Sequence, residues 1–151
     1  MKFNVAVGKM QDAKVDSVLL FVREYAQLKE PWLKQLDTAS RGSIAALLES
    51  GEFCGKAGEM TMILKPTGFA ATRIILLGIG DAKKVNAESY RRAMGAISRT
   101  KPMANSKKAA LYFERVSDAK HVQGAIEGYL LGSFKMLEYK SGADREDKSR
   151  L

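Results

Sequence analysis

Reactive side chains are scarce in this sequence. Cys54 is the one cysteine in 151 residues, so an internal disulfide is excluded and a zinc-knuckle reading has no ligands. Cysteine this sparse fits a reducing, cytoplasmic location. His121 is the one histidine and Trp32 the one tryptophan. No apolar run approaches the ~20 residues that a membrane helix needs. No signal-peptide pattern follows Met1-Lys2-Phe3-Asn4. Internal repeats and low-complexity tracts are missing too, which leaves solenoids and compositionally biased linkers without support.

What is present is ordinary for a globular protein: 46% hydrophobic and 28% charged residues. A chain this long fits one domain and buries roughly two-thirds of its unfolded surface. Lysine and arginine number 25 against 17 acids, a formal charge of +8. Such an excess suits a nucleic acid or another acidic surface. It equally suits a solvated basic face, or the exposed part of a larger assembly. The cations come only in short pairs, Lys83-Lys84, Arg91-Arg92 and Lys107-Lys108, and no RNA-binding aromatic signature accompanies them.

The stretch Thr72–Gly80 organises the chain. Ile74 to Leu77 form an apolar run too short for a free-standing helix, closed by Gly78 and Gly80, and this predicts a strand buried on both faces. Lys2–Val7 alternates Phe3, Val5 and Val7 with Lys2, Asn4 and Ala6, which predicts an edge-like first strand. Val15–Val22 predicts a second two-sided strand. Pro31 opens a helix that runs to Gly51, with Gly42 dividing it into two pieces. Met60–Leu64 predicts a strand, and Pro66-Thr67-Gly68 turns it back as a hairpin onto the central one. Asn86 caps a helix with Tyr90, Met94 and Ile97 on its apolar face, and Lys101-Pro102 stops it. A strand at Ala109–Phe113 follows. In the last helix, Ser117 is the cap and Val122, Ala125, Ile126, Tyr129 and Leu130 form the apolar stripe. Gly124, Gly128 and Gly132 recur every four residues there, each costing about 1 kcal/mol relative to alanine. Three glycines in register predict a seam where the backbone lies close against a sheet or a neighbouring helix. Lys140–Arg150 has no apolar face and reads as a linker or frayed tail. Strands alternating with helices imply an α/β sandwich with a mixed sheet.

No residue pattern builds a persuasive active site. Gly78-Ile79-Gly80 after a buried strand invites a dinucleotide reading, but Lys83 stands where the third glycine belongs and the helix starts later. A tight strand exit accounts for the glycines better. His121 lies off the apolar stripe, three residues from Asp118, with no serine or cysteine nucleophile in a recognisable setting, and reads as a solvated surface histidine. Cys54 has only Lys56 as a nearby cation and reads as a small, partly buried core residue. Asp12, Asp16, Asp37, Asp81, Asp118, Asp144 and Asp147 are dispersed, none with a second ligand at metal-binding spacing. The residues therefore give no catalytic, cofactor-binding or metal-ligating position.

Four stretches together resemble the N-terminal domain of the leucine (cytosol) aminopeptidases, the M17 metallopeptidases. They are Ser43–Gly58 (Ser-Ile-Ala-Ala-Leu-Leu-Glu-Ser-Gly-Glu-Phe-Cys-Gly-Lys-Ala-Gly), the strand Arg73–Gly80, the helix around Tyr90-Arg91-Arg92-Ala93, and Glu127–Ser141. Their order and spacing match across nearly the whole chain. The resemblance implies a three-layer α/β/α fold similar to macro domains, with a mixed β-sheet between helices. It implies a non-catalytic domain over residues 1–139 and an interdomain linker over 140–151. Two divalent metal ions, zinc or manganese, and the catalytic residues would lie in a C-terminal domain whose Asn-Thr-Asp-Ala-Glu-Gly-Arg signature is not found in this sequence. The longer protein would be a cytoplasmic homohexamer that removes N-terminal residues from peptides, with no membrane partner. This chain would support assembly and shape access to the active site.

Two other readings stay open at this point. A stand-alone ADP-ribose or nucleotide module follows from Gly78-Ile79-Gly80 and the implied fold, although Asp37–Ser43, where macro domains carry a glycine-rich phosphate loop, offers only Gly42. A DNA-binding module follows from the charge, since some bacterial relatives of the family bind DNA.

Overall fold

β1 (Ser17–Arg23) and β3 (Arg73–Gly80) lie side by side and parallel, and both are buried nearly end to end. Their side chains alternate between two separate cores, as the period of a strand requires. In one, Val18, Leu20 and Val22 of β1 and Ile74 and Leu76 of β3 meet Trp32, Leu33 and Leu36 of α1 (Pro31–Ala39) and Ile44 of α2 (Ser43–Ser50). In the other, Leu19, Phe21, Ile75, Leu77 and Ile79 meet Ala93, Met94 and Ile97 of α3 (Ala87–Ile97), Met103 of α4 (Lys101–Ala104) and Ala125 of α5 (Ala119–Ser133). The computed structural model describes residues 2–26, 28, 30–113 and 119–134.

The sheet has four strands in the order β2-β3-β1-β4. β4 (Ala109–Tyr112) pairs parallel with β1, and β2 (Met60–Leu64) pairs antiparallel with β3. β3 and β4 flank β1 on opposite sides. Right-handed crossovers in opposite directions therefore put α1 and α2 on one face and α3 and α5 on the other. The result is the α/β architecture with a mixed sheet that the sequence predicts.

Local signals explain most boundaries. Pro31 occupies the first turn of α1, where its missing N–H costs nothing. Gly42 and Gly51 take left-handed φ values of 81° and 75° and separate and end the two helical pieces. Asn86 caps α3 by accepting the Glu88 and Ser89 N–H groups, and the Ser89 hydroxyl accepts the Asn86 N–H. The β2–β3 hairpin closes on a Lys65 N–H bond to the Thr72 carbonyl at 2.8 Å.

Other expectations need correction. Lys2–Val7 forms no strand; Phe3, Val5 and Val7 are 47%, 81% and 98% exposed. Alternation marks a segment fit to pair, but a strand exists only where a neighbour supplies the ladder. Lys101-Pro102 does not stop α3, which ends at Ile97; both residues open α4, where Pro102 sits harmlessly in the first turn. Of the expected α5 stripe, Ala125 is buried and Tyr129 packs on the second core, Leu130 is exposed, and Gly124, Gly128 and Gly132 make up the rest of the buried face. The Ser117 cap, the 139/140 boundary and the Lys140–Arg150 tail fall outside the described residues.

The glycine seam itself is present, and its partner is α3. Gly124, Gly128 and Gly132 face Ala87, Arg91 and Gly95, in that order, so the two helices run parallel with their backbones in contact. A Cβ at Gly128 would enter the Arg91 carbonyl, which is main chain and cannot swing aside. Gly128→Ala should therefore destabilise the fold by about 1–3 kcal/mol or more through overpacking. Gly95→Ala, whose Cβ would sit at an ordinary 3.5 Å from the Gly128 carbonyl, should be neutral or stabilising because it gains helix propensity. Urea unfolding midpoints of the two variants check the contrast; equal losses would contradict it.

Candidate functional site

In doubly wound α/β folds, ligands enter at the carboxyl ends of the parallel strands, where the chain reverses its winding direction. Here that place lies above β1 and β3, at Gly78-Ile79-Gly80 and Arg23. The turn Cys54–Glu59 fills it. The Gly78 N–H donates to the Glu59 carbonyl at 2.8 Å, and the Gly80 N–H to the Gly55 carbonyl at 3.0 Å. The Tyr25 N–H donates to the Cys54 carbonyl and the Glu24 N–H to the Gly80 carbonyl, both at 2.8 Å. The Glu59 carboxylate steadies the turn by accepting the Cys54 and Lys56 N–H groups at 2.9 and 3.1 Å.

The two glycines that bring these backbones together are structural. A Cβ at Gly78 would collide with the Lys56 carbonyl, and one at Gly55 with the Arg23 carbonyl. The tight strand exit expected for Gly78-Ile79-Gly80 is what the chain builds. Asp81 accepts the Lys83 N–H at 3.0 Å, and α3 opens only after Asn86 has capped it. Among the described residues no glycine-lined cradle for a pyrophosphate is formed here.

The second possible phosphate position, the start of α2, holds an acid. Asp37 Oδ1 accepts the Ala45 N–H at 2.7 Å, so a carboxylate from α1 occupies one first-turn donor of α2. Nothing in the local pattern of Asp37 announces this bond, because its partner lies eight residues on and across a turn. Asp16 acts similarly, accepting the Lys107 and Lys108 N–H groups at 2.8 and 3.0 Å. Those N–H groups hold the Asp16 carboxyl below the usual carboxylate range, with the Arg73 charge adding to the effect.

The remaining side chains singled out by the sequence stay apart. Cys54 is partly buried, with its Sγ 3.5 Å from the Gly51 carbonyl. His121 departs from expectation: it is half-buried and stacks on Tyr90 with ring centroids 4.6 Å apart. Asp118, Asp144 and Asp147 lie outside the described residues. Among the described residues, no three His, Cys, Asp or Glu side chains stand close enough to share a metal ion. An open depression of about 450 Å³ runs along α1, lined by Pro31, Trp32, Lys34, Gln35 and Thr38, without convergent acid–base groups. Trp32 is committed elsewhere, donating its indole N–H to Glu30 at 2.8 Å and stacking on Tyr112.

The short cation pairs do not converge either. Lys83 and Lys84 follow the carboxyl end of β3, whereas Lys107 and Lys108 precede the amino end of β4; both strands run parallel to β1, so the pairs leave from opposite ends of the sheet. Arg91 bridges Glu88 on its own helix and Glu127 on α5, at 2.7 Å to the latter. Arg92 also pairs with Glu88. The Arg91 guanidinium, helped by the Gln123 amide, holds the Glu127 carboxyl below its ordinary value of 4.5. A carboxyl depressed in the folded state stabilises above its unfolded pKa, and that contribution disappears as pH falls through the folded one. Glu127→Gln should therefore lower the melting temperature most near neutral pH, and the gap to the parent should close below about pH 4. Melting curves from about pH 7 to about pH 3 check this; a gap that widens in acid would contradict it.

Comparison with known proteins matches the chain to the family model for the cytosol aminopeptidase family, N-terminal domain, over residues 6–143. A probable cytosol aminopeptidase of Solibacter usitatus is 40% identical over 101 residues, covering 66% of this chain and 21% of the relative. One from Streptomyces avermitilis is 35% identical over 144 residues, covering 90% of this chain and 26% of the relative. Among solved structures, a mutant tomato leucine aminopeptidase shares the fold with a TM-score of 0.68 at 22% identity, covering 86% of this chain and 27% of its own. The bottromycin maturation enzyme BotP in complex with manganese does so at 0.58 and 20% identity, covering 83% of this chain and 24% of its own. The chain thus spans about a quarter of the length of the relatives it matches. With the match reaching from residue 6 to residue 143, the chain belongs to the cytosol aminopeptidase family, to its N-terminal domain.

Proposed function

We propose that this chain is the non-catalytic N-terminal domain of a leucyl aminopeptidase. The longer polypeptide would remove N-terminal amino acids from peptides by metal-assisted attack of water on the first peptide bond. One observation carries the reading: the family match runs through residues 6–143, while the curated relatives extend to about four times the matched length. Residues 1–139 would form the domain and 140–151 the linker into a C-terminal catalytic domain.

The described side chains do not fit a two-metal centre, because no three candidate ligands meet. The two divalent ions, zinc or manganese, would be held by the downstream domain; manganese is the ion in the complex of the BotP neighbour. This chain's own contribution would be mechanical: a rigid sheet and parallel helix pair that supports a cytoplasmic homohexamer and shapes access of peptides to its interior.

The test compares hydrolysis of leucine p-nitroanilide, with added manganese or zinc, by the 151-residue chain and by the polypeptide encoded by the extended reading frame. Activity is expected only in the latter. Hydrolysis by the chain alone, or a continuation without a metal-ligand domain, would overturn the proposal.

ADP-ribose and DNA have less support. The Cys54–Glu59 turn and the Asp37 carboxylate occupy the places where a phosphate would bind. Calorimetry with ADP-ribose up to about millimolar concentration should register no binding heat; a saturable isotherm would favour the nucleotide reading. The +8 charge supports DNA only weakly, since the lysine pairs lie at opposite ends of the sheet.

A further inference from the structure

The outward face of α5 changes character along its length. Residues three or four apart share a helix face. Lys120, Gln123 and Glu127 begin this one, and Leu130, Leu131 and Phe134 finish it. The first part is polar: Gln123 donates to the Glu127 carboxylate, which Arg91 of α3 also bonds. From Gly128 to Phe134 there is no charged residue, and Leu130, Leu131 and Phe134 are 46%, 69% and 73% exposed. Single exposed apolar residues are common on a protein surface, but three that adjoin one another mark a surface that something covers.

The apolar turn is also held in place. Gly132, on the opposite side of the helix, faces Gly95 and Ser98 at the end of α3, and Arg99 Nε donates to the Gly132 carbonyl at 3.3 Å. The Phe134 N–H donates to the Leu131 carbonyl at 3.3 Å, which continues the turn past α5 and keeps Phe134 on the face of Leu130 and Leu131. Beyond this turn the relatives continue: the family match runs on to residue 143, and the relatives are about four times the matched length. A domain joined there by a short tether meets the end of α5 at an effective concentration of millimolar order, so even a small apolar patch holds it. The polar start of the same face lies about 20 Å farther from that tether.

We propose that Leu130, Leu131 and Phe134 seat the downstream catalytic domain, which presents an apolar surface to them close to its point of attachment. The inference rests on the aminopeptidase reading and adds to it the face through which the two domains join. Because the glycine seam and Arg99 fix this turn to α3, the seat sets the orientation of the downstream domain relative to the sheet.

The test uses the 151-residue chain and the polypeptide of the extended reading frame, each carrying Leu131→Cys in a Cys54→Ser background. Maleimide labelling of position 131, read from the mass of the peptide that holds it, should be fast in the shorter chain and at least about tenfold slower in the longer one. The slowing should be the same at every protein concentration. Hydroxyl-radical footprinting of the two unaltered proteins gives a second reading that needs no variant to fold: oxidation of Phe134 should fall several-fold in the longer one. Equal labelling in the two would overturn the proposal. So would slow labelling already in the shorter chain, which would give the face to that chain's own remaining residues, or protection that grows with concentration, which would give it to another copy. Hydrolysis of leucine p-nitroanilide by the unaltered longer polypeptide separates the two readings. Activity with position 131 open removes this inference alone, whereas a continuation without a metal-ligand domain removes both.

Discussion

The parallel ladder between β1 and β3 is the constraint on which the other elements depend. Two strands with apolar residues on both faces must be screened from water on both sides. A parallel pair also cannot be closed by a hairpin, so the chain has to cross from one end of the sheet to the other. Those requirements together place α1 and α2 over Val18, Leu20, Ile74 and Leu76, and α3 and α5 over Leu19, Phe21, Ile75 and Leu77. β2 is attached by the short turn through Gly68, and β4 by the return of α3 and α4 across β1.

Screening the second face calls for two helices close together, and here glycine serves in place of bulk. α3 and α5 meet backbone to backbone along Gly124, Gly128 and Gly132, and the Arg91–Glu127 pair ties them at the surface. Close approach of this kind maximises dispersion contacts without large side chains. It also leaves Leu130 and Leu131 free to point outward, while Tyr129 packs on the second core.

Much of this was legible in the sequence because its signals are local. The Ile74–Leu77 run, Pro31, the Gly42 and Gly51 breaks and the Asn86 cap each speak through neighbours a few residues away. The misreadings share a different cause. Hydrophobic periodicity points to the bulky residues of α5, yet Ala125 and three glycines that register as neutral form its contact face. His121 looked solvated because Tyr90, on which it stacks, is 31 residues earlier. The backbone bonds accepted by Asp16 link positions 91 and 92 residues apart. Phe3–Val7 carried the period of a strand, but periodicity cannot say whether a partner is in place. As for a functional site, the near-fingerprint at Gly78-Ile79-Gly80 could be discounted from the position of Lys83, whereas the turn that fills the space above it could not be foreseen.

That turn bears on what the domain can become. Clefts filled by side chains can be reopened by one or two substitutions, because a smaller residue leaves room. Above β1 and β3 the space is taken by main chain, with carbonyls of Gly55 and Glu59 receiving the very N–H groups a ligand would seek. Trimming any single residue there removes little volume and leaves the amides engaged. Regaining a small-molecule pocket at this place would take excision of several consecutive residues, so drift by point mutation is barred from that route and change is channelled to the outer surfaces.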